Sequence, residues 1–348
     1  MINMKYDVLK LKMDHPGDVS ELATLLKAER INAAHIKGII AQTEGDGYAR
    51  GYSTLAFQVL LSEYLGWTHE EVFDRIPMMM IGKTGGLMSP HYTVFLRDEN
   101  SQEQHAISDE KRFVFGVATS RVLSAEEIGT VTQVDVAAEA VLEAIKDAGI
   151  TSLDDVHCVE IKCPWGIGGT MSKATSALGS AVALGEIERE RVTETAINSD
   201  HSLYSVRTSV SAGGEQKAVR VIVMGNKVGA NSSLVVGSGM MNDSFDLQGL
   251  YDLLDGMGMK VNPLLSVDDQ ERIVQVFVNA GADALPHIRN QRHTMHSDAL
   301  SMHAGILAKA VANAVVGSVV NDASILCSAG SEHQGPRGAN LLALIAKA

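Results

Sequence analysis

Apolar and polar positions along the chain follow one order of patterns three times. Each time, a segment of alternating apolar and polar residues, typical of a half-buried strand, precedes a segment with helical spacing of its apolar positions. A second strand, a second helix and a short apolar strand that ends in a glycine-containing turn complete the order. We therefore predict an α/β fold of three similar units, which span residues 1–97, 111–226 and 232–348.

The predicted elements have matching positions in the three units. They are 6–12, 19–28, 34–42, 54–65 and 78–81 in the first unit, 113–119, 134–148, 156–163, 172–184 and 207–211 in the second, and 233–237, 247–257, 273–279, 307–319 and 325–328 in the third. Lys162 precedes Ser211 by 49 residues, and Asn279 precedes Ser328 by the same 49 residues. This agreement predicts a pseudo-threefold arrangement in which equivalent strand ends converge near one axis.

Lys162 is a candidate catalytic base because it lies in a strongly apolar strand. Alternation along that strand places it on the same face as Cys158 and Glu160. Glu160 and Lys162 could form an ion pair on a half-exposed strand. Alternatively, Lys162 could be partly desolvated, so that its pKa falls and the neutral amine can accept a proton. The pattern alone leaves both interpretations open.

Ser211 is the candidate nucleophile for such a base. It ends a β-like run and is followed by Ala212-Gly213-Gly214, whose backbone N–H groups can approach a substrate and hold a developing oxyanion. The alternative is a serine-rich strand with an ordinary tight turn. The third unit repeats the pattern in Ser328-Ala329-Gly330, which favours a functional role.

Composition excludes several classes of partner. The net charge is −13 and no stretch is rich in Lys or Arg, so neither nucleic acid nor an anionic membrane is an expected partner. No run of 18 apolar residues occurs and the N-terminus lacks a continuous apolar segment, which predicts a cytoplasmic protein. The three cysteines form no C-x-x-C pair and are expected to be buried thiols. Small molecules remain as the expected partners.

Two other motifs do not predict a site. Gly82-Lys83-Thr84 resembles the end of a phosphate-binding loop, but the first glycine of that motif would fall at Pro77. Four histidines, at 287, 293, 296 and 303, have spacings of 6, 3 and 7 residues, which match no standard zinc motif. We therefore expect neither a nucleotide site nor a dedicated histidine metal site.

Five ordered stretches resemble one enzyme family. They are Thr43-Glu44-Gly45-Asp46-Gly47, Leu87-Met88-Ser89-Pro90-His91-Tyr92-Thr93-Val94-Phe95, Val159-Glu160-Ile161-Lys162-Cys163-Pro164, Arg292-His293-Thr294-Met295 and Ser331-Glu332-His333-Gln334-Gly335-Pro336. From about residue 5 to the C-terminus, the chain resembles the cyanuric acid hydrolase/barbiturase family of ring-opening cyclic amide hydrolases.

The resemblance implies three repeats around one site, to which each repeat ideally gives a Lys, an Arg and a Ser-Gly turn. It implies that Lys162 is the base, that Ser211 is the nucleophile and that the Ala212 N–H helps to bind the carbonyl. Ser209 is the alternative nucleophile if the correspondence shifts by two residues. Further substrate contacts are implied for Thr54, Ile81, Gly82, Lys173, Ser328 and Ala329.

The chain departs from the family pattern at several positions. Gln42 and Asn279 replace lysines, Thr54, Lys173 and Ile306 replace arginines, and Ile81 replaces a serine. These losses argue against cyanuric or barbituric acid as the substrate, because the arginines suit a ring surrounded by carbonyls. Arg50, Lys83, Lys173 and Arg207 could supply replacement charge.

The family resemblance also bears on metal and assembly. It implies a homotetramer, no required cofactor, and a structural Mg²⁺ or Ca²⁺ in the third repeat with ligands around Ser331, Gln334 and Pro336. The expected Glu ligand is Gly281 here, which argues against the metal. We predict a hydrolase that opens a small cyclic amide or imide. The alternative is a non-catalytic small-molecule-binding protein on the same scaffold, since two units have lost their lysine.

Overall fold

The first predicted unit forms a four-stranded sheet with three helices. The computed structural model describes residues 4–45, 47–102, 109–166 and 169–348, except for the side chains at 300 and 301. In the first unit the elements are β1 (Lys5–Lys12), α1 (Ser20–Lys27), β2 (Ile36–Gln42), α2 (Gly47–Leu65), α3 (His69–Arg75), β3 (Met78–Ile81) and β4 (His91–Asp98). The strand order is β1-β4-β2-β3, with only the β2 and β3 pair parallel.

The second unit repeats this topology. Its elements are β5 (Lys111–Val122), α4 (Val131–Ala148), β6 (Val156–Pro164), α5 (Gly169–Ala183), β7 (Thr208–Gly213) and β8 (Ala218–Val228). The strand order is β5-β8-β6-β7, and again the last two strands are the parallel pair.

The third unit has the same sheet. Its elements are β9 (Leu234–Met241), α6 (Leu247–Gly256), α7 (Val267–Arg272), β10 (Ile273–Ala280), the short hairpin β11 (His287–Ile288) and β12 (Gln291–Arg292), α8 (Ala304–Val320), β13 (Leu326–Ala329) and β14 (Asn340–Lys347). Read from β9, the order is β9-β14-β10-β13, with β10 and β13 parallel. The predicted α/β fold is confirmed, and each sheet draws its strands from one predicted unit.

A strand in each sheet was absent from the sequence-based prediction. These strands, β4, β8 and β14, follow the glycine-containing turn and lie between the first and second strands of their sheets. They are buried along nearly their whole length, so their residues do not alternate in polarity. Because the prediction relied on alternation, it assigned one strand too few to each unit, although the predicted bounds of the units include nearly all of these segments.

The three sheets share one apolar core. The ring of Phe115 on β5 lies 5.4 Å from that of Phe95 on β4 and 5.6 Å from that of Tyr6 on β1. The same cluster of buried residues includes Val236 on β9 and Ile345 on β14. Residues from all three units are therefore removed from water together, which opposes their separation.

Hydrogen bonds from side chains of one unit also reach the short parallel strands of another unit. Lys162 on β6 donates to the Met80 carbonyl of β3 at 2.8 Å. Gln42 on β2 accepts from the Cys327 N–H of β13 at 2.6 Å. Gln334, after β13, accepts from the Val210 N–H of β7 at 2.7 Å. Each of β3, β7 and β13 is thereby tied to a residue of another unit.

Gly116 allows α4 to pack closely on β5, and replacing it tests this contact. A Cβ at this position would lie 2.0 Å from the Ala144 carbonyl oxygen and 2.4 Å from the Ala148 nitrogen, so the helix backbone would have to move. We expect Gly116→Ala to lower the free energy of unfolding by about 3 kcal/mol, measured by urea denaturation. In the control Gly256→Ala, a Cβ meets no atom within 4 Å, and the change should stay below about 1 kcal/mol. Equal effects of the two substitutions would contradict the packing argument.

Candidate active site

The parallel strand pairs place equivalent residues of the three units side by side. Lys162 on β6 is paired in register with Ser211 on β7. Gln42 is paired with Ile81 and Asn279 with Ser328 in the same way. The correspondence inferred from residue spacing is therefore a correspondence of position in the sheets. In a parallel pair, residues in register point to the same face, so Lys162 and Ser211 share one face.

A cavity of about 400 Å³ lies where the short strands end. The predicted site residues that line it are Lys162, Ser211, Ala212, Lys173, Ile81, Gly82, Ser328 and Ala329. Arg50, Lys83, Trp165, Ile306 and Lys309 complete much of the wall. Larger cavities exist, including one of about 580 Å³ beside Arg112 and His157, but none of the described ones joins a buried lysine to a strand-end serine.

Lys162 is buried, with 1% of its surface exposed. Its ammonium donates to the Met80 carbonyl at 2.8 Å and to the Ala212 carbonyl at 3.3 Å. Burial lowers the pKa of Lys162 to about 8, and the negative charge of Glu215 opposes that shift in part. The surface ion-pair interpretation is wrong, because the Lys162 nitrogen faces Glu215 at 3.7 Å and both Glu160 and Lys162 are buried.

Glu215 is a site residue that the sequence interpretation missed. Its carboxylate folds over Gly213, where a Cβ would lie 2.1 Å from the Glu215 Oε1 atom. Gly213 thus permits the close approach of Glu215 to Lys162. An acidic residue four positions after the candidate serine, beyond two glycines, was the available sequence signal.

Ser209, the alternative nucleophile, lies beside a different buried group. It is paired in register with Glu160, two residues before Lys162 on β6. Burial raises the pKa of Glu160 to about 8, and a hydrogen bond with Ser209 opposes the shift. Ser209 is 7% exposed and does not line the cavity. The structure therefore brings Ser211, and not Ser209, to the cavity beside Lys162.

Besides Lys162, four cationic side chains line the cavity: Arg50, Lys83, Lys173 and Lys309. Lys173 on α5 forms an ion pair with Glu332 at 2.7 Å. Lys309 on α8 is 5% exposed and donates to the carbonyls of Gly82 and Lys83 at 3.0 and 2.6 Å. Burial lowers the pKa of Lys309 to about 8. The sequence interpretation missed Lys309, whose only signal was a single charged residue in a helix of mostly apolar residues.

Two predicted sources of substrate contacts lie elsewhere. Thr54 is buried on α2, where its hydroxyl donates to the Arg50 carbonyl at 2.9 Å, and it does not line the cavity. Arg50, one helical turn earlier, lies at the cavity instead. Arg207 forms an ion pair with Glu186 at 3.1 Å and donates to backbone carbonyls around Val156, at the opposite end of β6. Of the four candidates for replacement charge, Arg50, Lys83 and Lys173 line the cavity and Arg207 does not.

Comparison with known proteins gives this arrangement a context. The chain matches the amidohydrolase ring-opening protein family over residues 7–166 and 168–347. It belongs to that family. The predicted resemblance is confirmed, and with it the predicted enzyme class, an amidohydrolase.

Individual relatives of this amidohydrolase cover nearly the whole chain. A cyanuric acid amidohydrolase from Enterobacter cloacae is 38% identical over 99% of this chain and 100% of its own length. A cyclic amide hydrolase from Azorhizobium caulinodans is 36% identical over the same shares. A solved cyanuric acid hydrolase, described as a product of structural concatenation, superposes with a TM-score of 0.93 at 34% identity, over 99% of this chain and 100% of that one.

The third unit of this amidohydrolase does not fit the metal that the family resemblance implies. A Cβ on Gly281, the position of the expected Glu ligand, would lie 2.4 Å from the Ala339 carbonyl oxygen and 2.7 Å from the Ser331 hydroxyl. Ser331 donates to the Gly281 carbonyl, and Gln334 bonds to Val210. Among the described residues, no group of three His, Cys, Asp or Glu side chains could hold an ion.

The buried carboxyl of Glu160 gives a pH-dependent test of the site's packing. Because its folded pKa of about 8 exceeds the ordinary glutamate value of 4.5, the native state binds the proton more tightly, and stability falls as pH rises between these values. We expect Glu160→Gln to leave the free energy of unfolding unchanged at pH 5 and to raise it by at least about 1 kcal/mol at pH 9. Urea denaturation of both proteins at both pH values measures this. An identical difference at pH 5 and pH 9 would show that Glu160 is not protonated in the fold.

Proposed function

We propose that this amidohydrolase opens a small cyclic amide or imide ring, with Lys162 as base and Ser211 as nucleophile. One observation supports the proposal above all: a buried lysine of lowered pKa lies in register with a serine at the wall of a cavity. Perturbed pKa values in a cavity are typical of catalytic groups. A lysine whose pKa is near 8 is neutral often enough to act as a base at ordinary pH.

The surroundings of Lys162 suit proton transfer in both directions. The neutral amine keeps two N–H bonds, which the Met80 and Ala212 carbonyls accept, and its lone pair is then available for the Ser211 proton. Ser211 Oγ forms a bond to the ring carbonyl carbon while Lys162 takes the proton. The backbone N–H at Ala212 stabilises the oxyanion. The C–N bond then breaks and the ring nitrogen recovers a proton from Lys162.

Water completes the reaction. Lys162, neutral again, takes a proton from a water molecule, whose oxygen attacks the acyl-Ser211 ester. Ser211 Oγ leaves and is reprotonated by Lys162, so the product is a ring-opened carboxylic acid and the enzyme returns to its starting state. Ser328 and Ala329 of the third unit and Ile81 and Gly82 of the first form the remaining strand-end walls around the ring.

For the substrate, we propose only a chemical class. The losses of arginine predict a ring other than cyanuric or barbituric acid. The cavity nevertheless keeps positive charge at Arg50, Lys173 and Lys309. The geometry of this charge differs from that of the family pattern, because a lysine offers a point charge where an arginine offers a planar fork. A ring with a different arrangement of acceptors than cyanuric acid therefore remains our proposal.

The proposal also includes the arrangement of the three units, the oligomeric state and the cellular location. Three sheets of one topology, whose short strands β3 and β7 each contact β13 and which share one cavity, support a pseudo-threefold axis. A homotetramer is proposed from the family alone, and its mass in solution would test it. No helix among the described residues is long and apolar enough to cross a membrane. The cytoplasmic location stays a prediction.

Ring opening by Ser211 is tested with two matched serine substitutions. We expect Ser211→Ala to reduce kcat on a cyclic amide by at least about 1000-fold, while the protein still binds the ring, because only the nucleophile is lost. Ser209→Ala removes a hydroxyl from the same strand outside the cavity and should leave kcat within about threefold. The measurement is the loss of the ring's absorbance, which reports product formation.

The outcome also separates the enzyme from a non-catalytic binding protein. A binding protein would retain the ring unchanged in every variant. Activity that survives in Ser211→Ala and disappears in Ser209→Ala would instead show that the nucleophile is two residues earlier.

The lowered pKa of Lys162 predicts a pH profile. Since the base must be neutral, kcat/KM should rise with pH and level off above about 8, with a value at pH 7 about tenfold below the plateau. Glu215 raises the pKa of Lys162, so Glu215→Gln should move the midpoint to lower pH. A midpoint that moves upward in Glu215→Gln, or a flat profile between pH 6 and 9, would refute the assignment of Lys162 as base.

A further inference from the structure

The cavity is positively charged although the protein is strongly acidic. The net charge of the chain is −13, yet five cationic side chains line this one cavity: Arg50, Lys83, Lys162, Lys173 and Lys309. Two of them are neutralised, Lys162 by Glu215 and Lys173 by Glu332. Among the described residues, no carboxylate forms an ion pair with the other three. The excess charge therefore lies on the side formed by the first and third units.

Arg50 is the clearest of these unpaired cations. Its aliphatic stem packs on Gly82, where a Cβ would lie 2.9 Å from the Arg50 Cγ atom. Its Nε atom is buried and has no hydrogen-bond partner in the described part of the chain. A buried donor without an acceptor destabilises a protein, so such groups in native proteins usually meet a ligand or an ordered water.

Lys309 and Lys83 extend the same cluster. Lys309 donates to the carbonyls of Gly82 and Lys83, which uses two of the three N–H bonds of its ammonium. Its pKa is influenced by the charge of Arg50, so the two cations lie near each other. This cluster, defined as Arg50, Lys83 and Lys309, is assembled around one turn after β3.

The backbone of that turn is strained at Lys83. The residue has a φ of 51°, in the left-handed region that glycine adopts without steric conflict. A lysine at this position keeps a charged side chain at the cavity rim despite the conformational cost. Strained residues of this kind are concentrated at ligand sites.

We propose that the substrate ring bears an exocyclic carboxylate, which binds the Arg50, Lys83 and Lys309 cluster while Ser211 attacks the ring carbonyl. The inference rests on the proposed ring-opening function and adds the chemical class of its substrate. A carboxylate supplies the acceptors that Arg50 and Lys309 lack, in charge-assisted hydrogen bonds. The cavity of about 400 Å³ is also larger than the roughly 150 Å³ that holds a benzene-sized ring, so it has room for a ring with a substituent.

Matched pairs of rings test the proposal. The probes are hydantoin-5-acetic acid and dihydroorotic acid, each compared with its primary carboxamide, which has the same shape without the charge. We expect kcat/KM for at least one acid to exceed that of its amide by about tenfold or more. Cyanuric acid, which can ionise only on the ring, is the third arm. Turnover of cyanuric acid above both acids would show that ring ionisation, and not a carboxylate, supplies the charge, and would overturn the proposal.

Substitutions then assign the preference to the cluster. Lys83→Gly removes the charge and suits the left-handed backbone, so the thermal midpoint should stay the same or rise while the acid-to-amide ratio falls about tenfold. Arg50→Gln should lower the ratio in the same direction. Lys27→Gln, at an exposed lysine on α1, is the matched control and should leave the ratio unchanged. An unchanged ratio in both Lys83→Gly and Arg50→Gln would refute the cluster as the carboxylate site.

Binding to the Ser211→Ala protein separates this inference from the proposed function. Calorimetric titration that shows tighter binding of an acid than of its amide, without turnover by the wild type, would uphold the carboxylate site and refute the hydrolytic mechanism. Equal kcat/KM for acids and amides, with activity lost in Ser211→Ala, would uphold the hydrolytic mechanism and refute the carboxylate site. Binding of neither acid to the Ser211→Ala protein would also overturn the carboxylate proposal.

Discussion

The parallel pairing of the second and third strands in each sheet is the constraint on which the site depends. It places Lys162 opposite Ser211, Gln42 opposite Ile81 and Asn279 opposite Ser328. A slip of one residue would turn the side chains of one strand to the other face of its sheet. The buried strands β4, β8 and β14, hydrogen-bonded to the second strand of each sheet, oppose such a slip. The backbone register thus determines which side chains meet at the cavity.

Within that register, only the middle unit combines a titratable amine with a hydroxyl. Gln42 and Asn279 occupy the equivalent positions with amides, which bond to backbone groups of the strand ends. An amide can hold two strands together at a smaller desolvation cost than a buried ammonium incurs. The chain therefore uses three related positions differently: two hold strands together, and the third, in our proposal, transfers a proton. The carbonyls around Lys162 and the carboxylate of Glu215 offset part of the desolvation.

The sequence predicted the repeat and the matching positions within it but not the whole site. Alternation and residue spacing located β2, β6 and β10 and their short partners to within a few residues, because those strands alternate or end in glycine. The strands β4, β8 and β14 were missed, since burial on both faces removes alternation. Lys309 and Glu215 were missed because their role depends on which carbonyls and ammonium groups approach them in space. Thr54, and not Arg50, was the predicted substrate contact on α2. The two residues are one helical turn apart, and the sequence alone does not tell which of them faces the cavity.

The hydrogen bond between Gln42 and Cys327 closes a far longer stretch of chain than the bond between Lys162 and Met80. The residues of the first pair are 285 positions apart, and those of the second pair are 82 positions apart. A contact between distant residues must overcome a larger loop-closure entropy before it stabilises the fold, and such contacts slow folding. The contact that brings the first and third units together therefore carries the larger entropic cost.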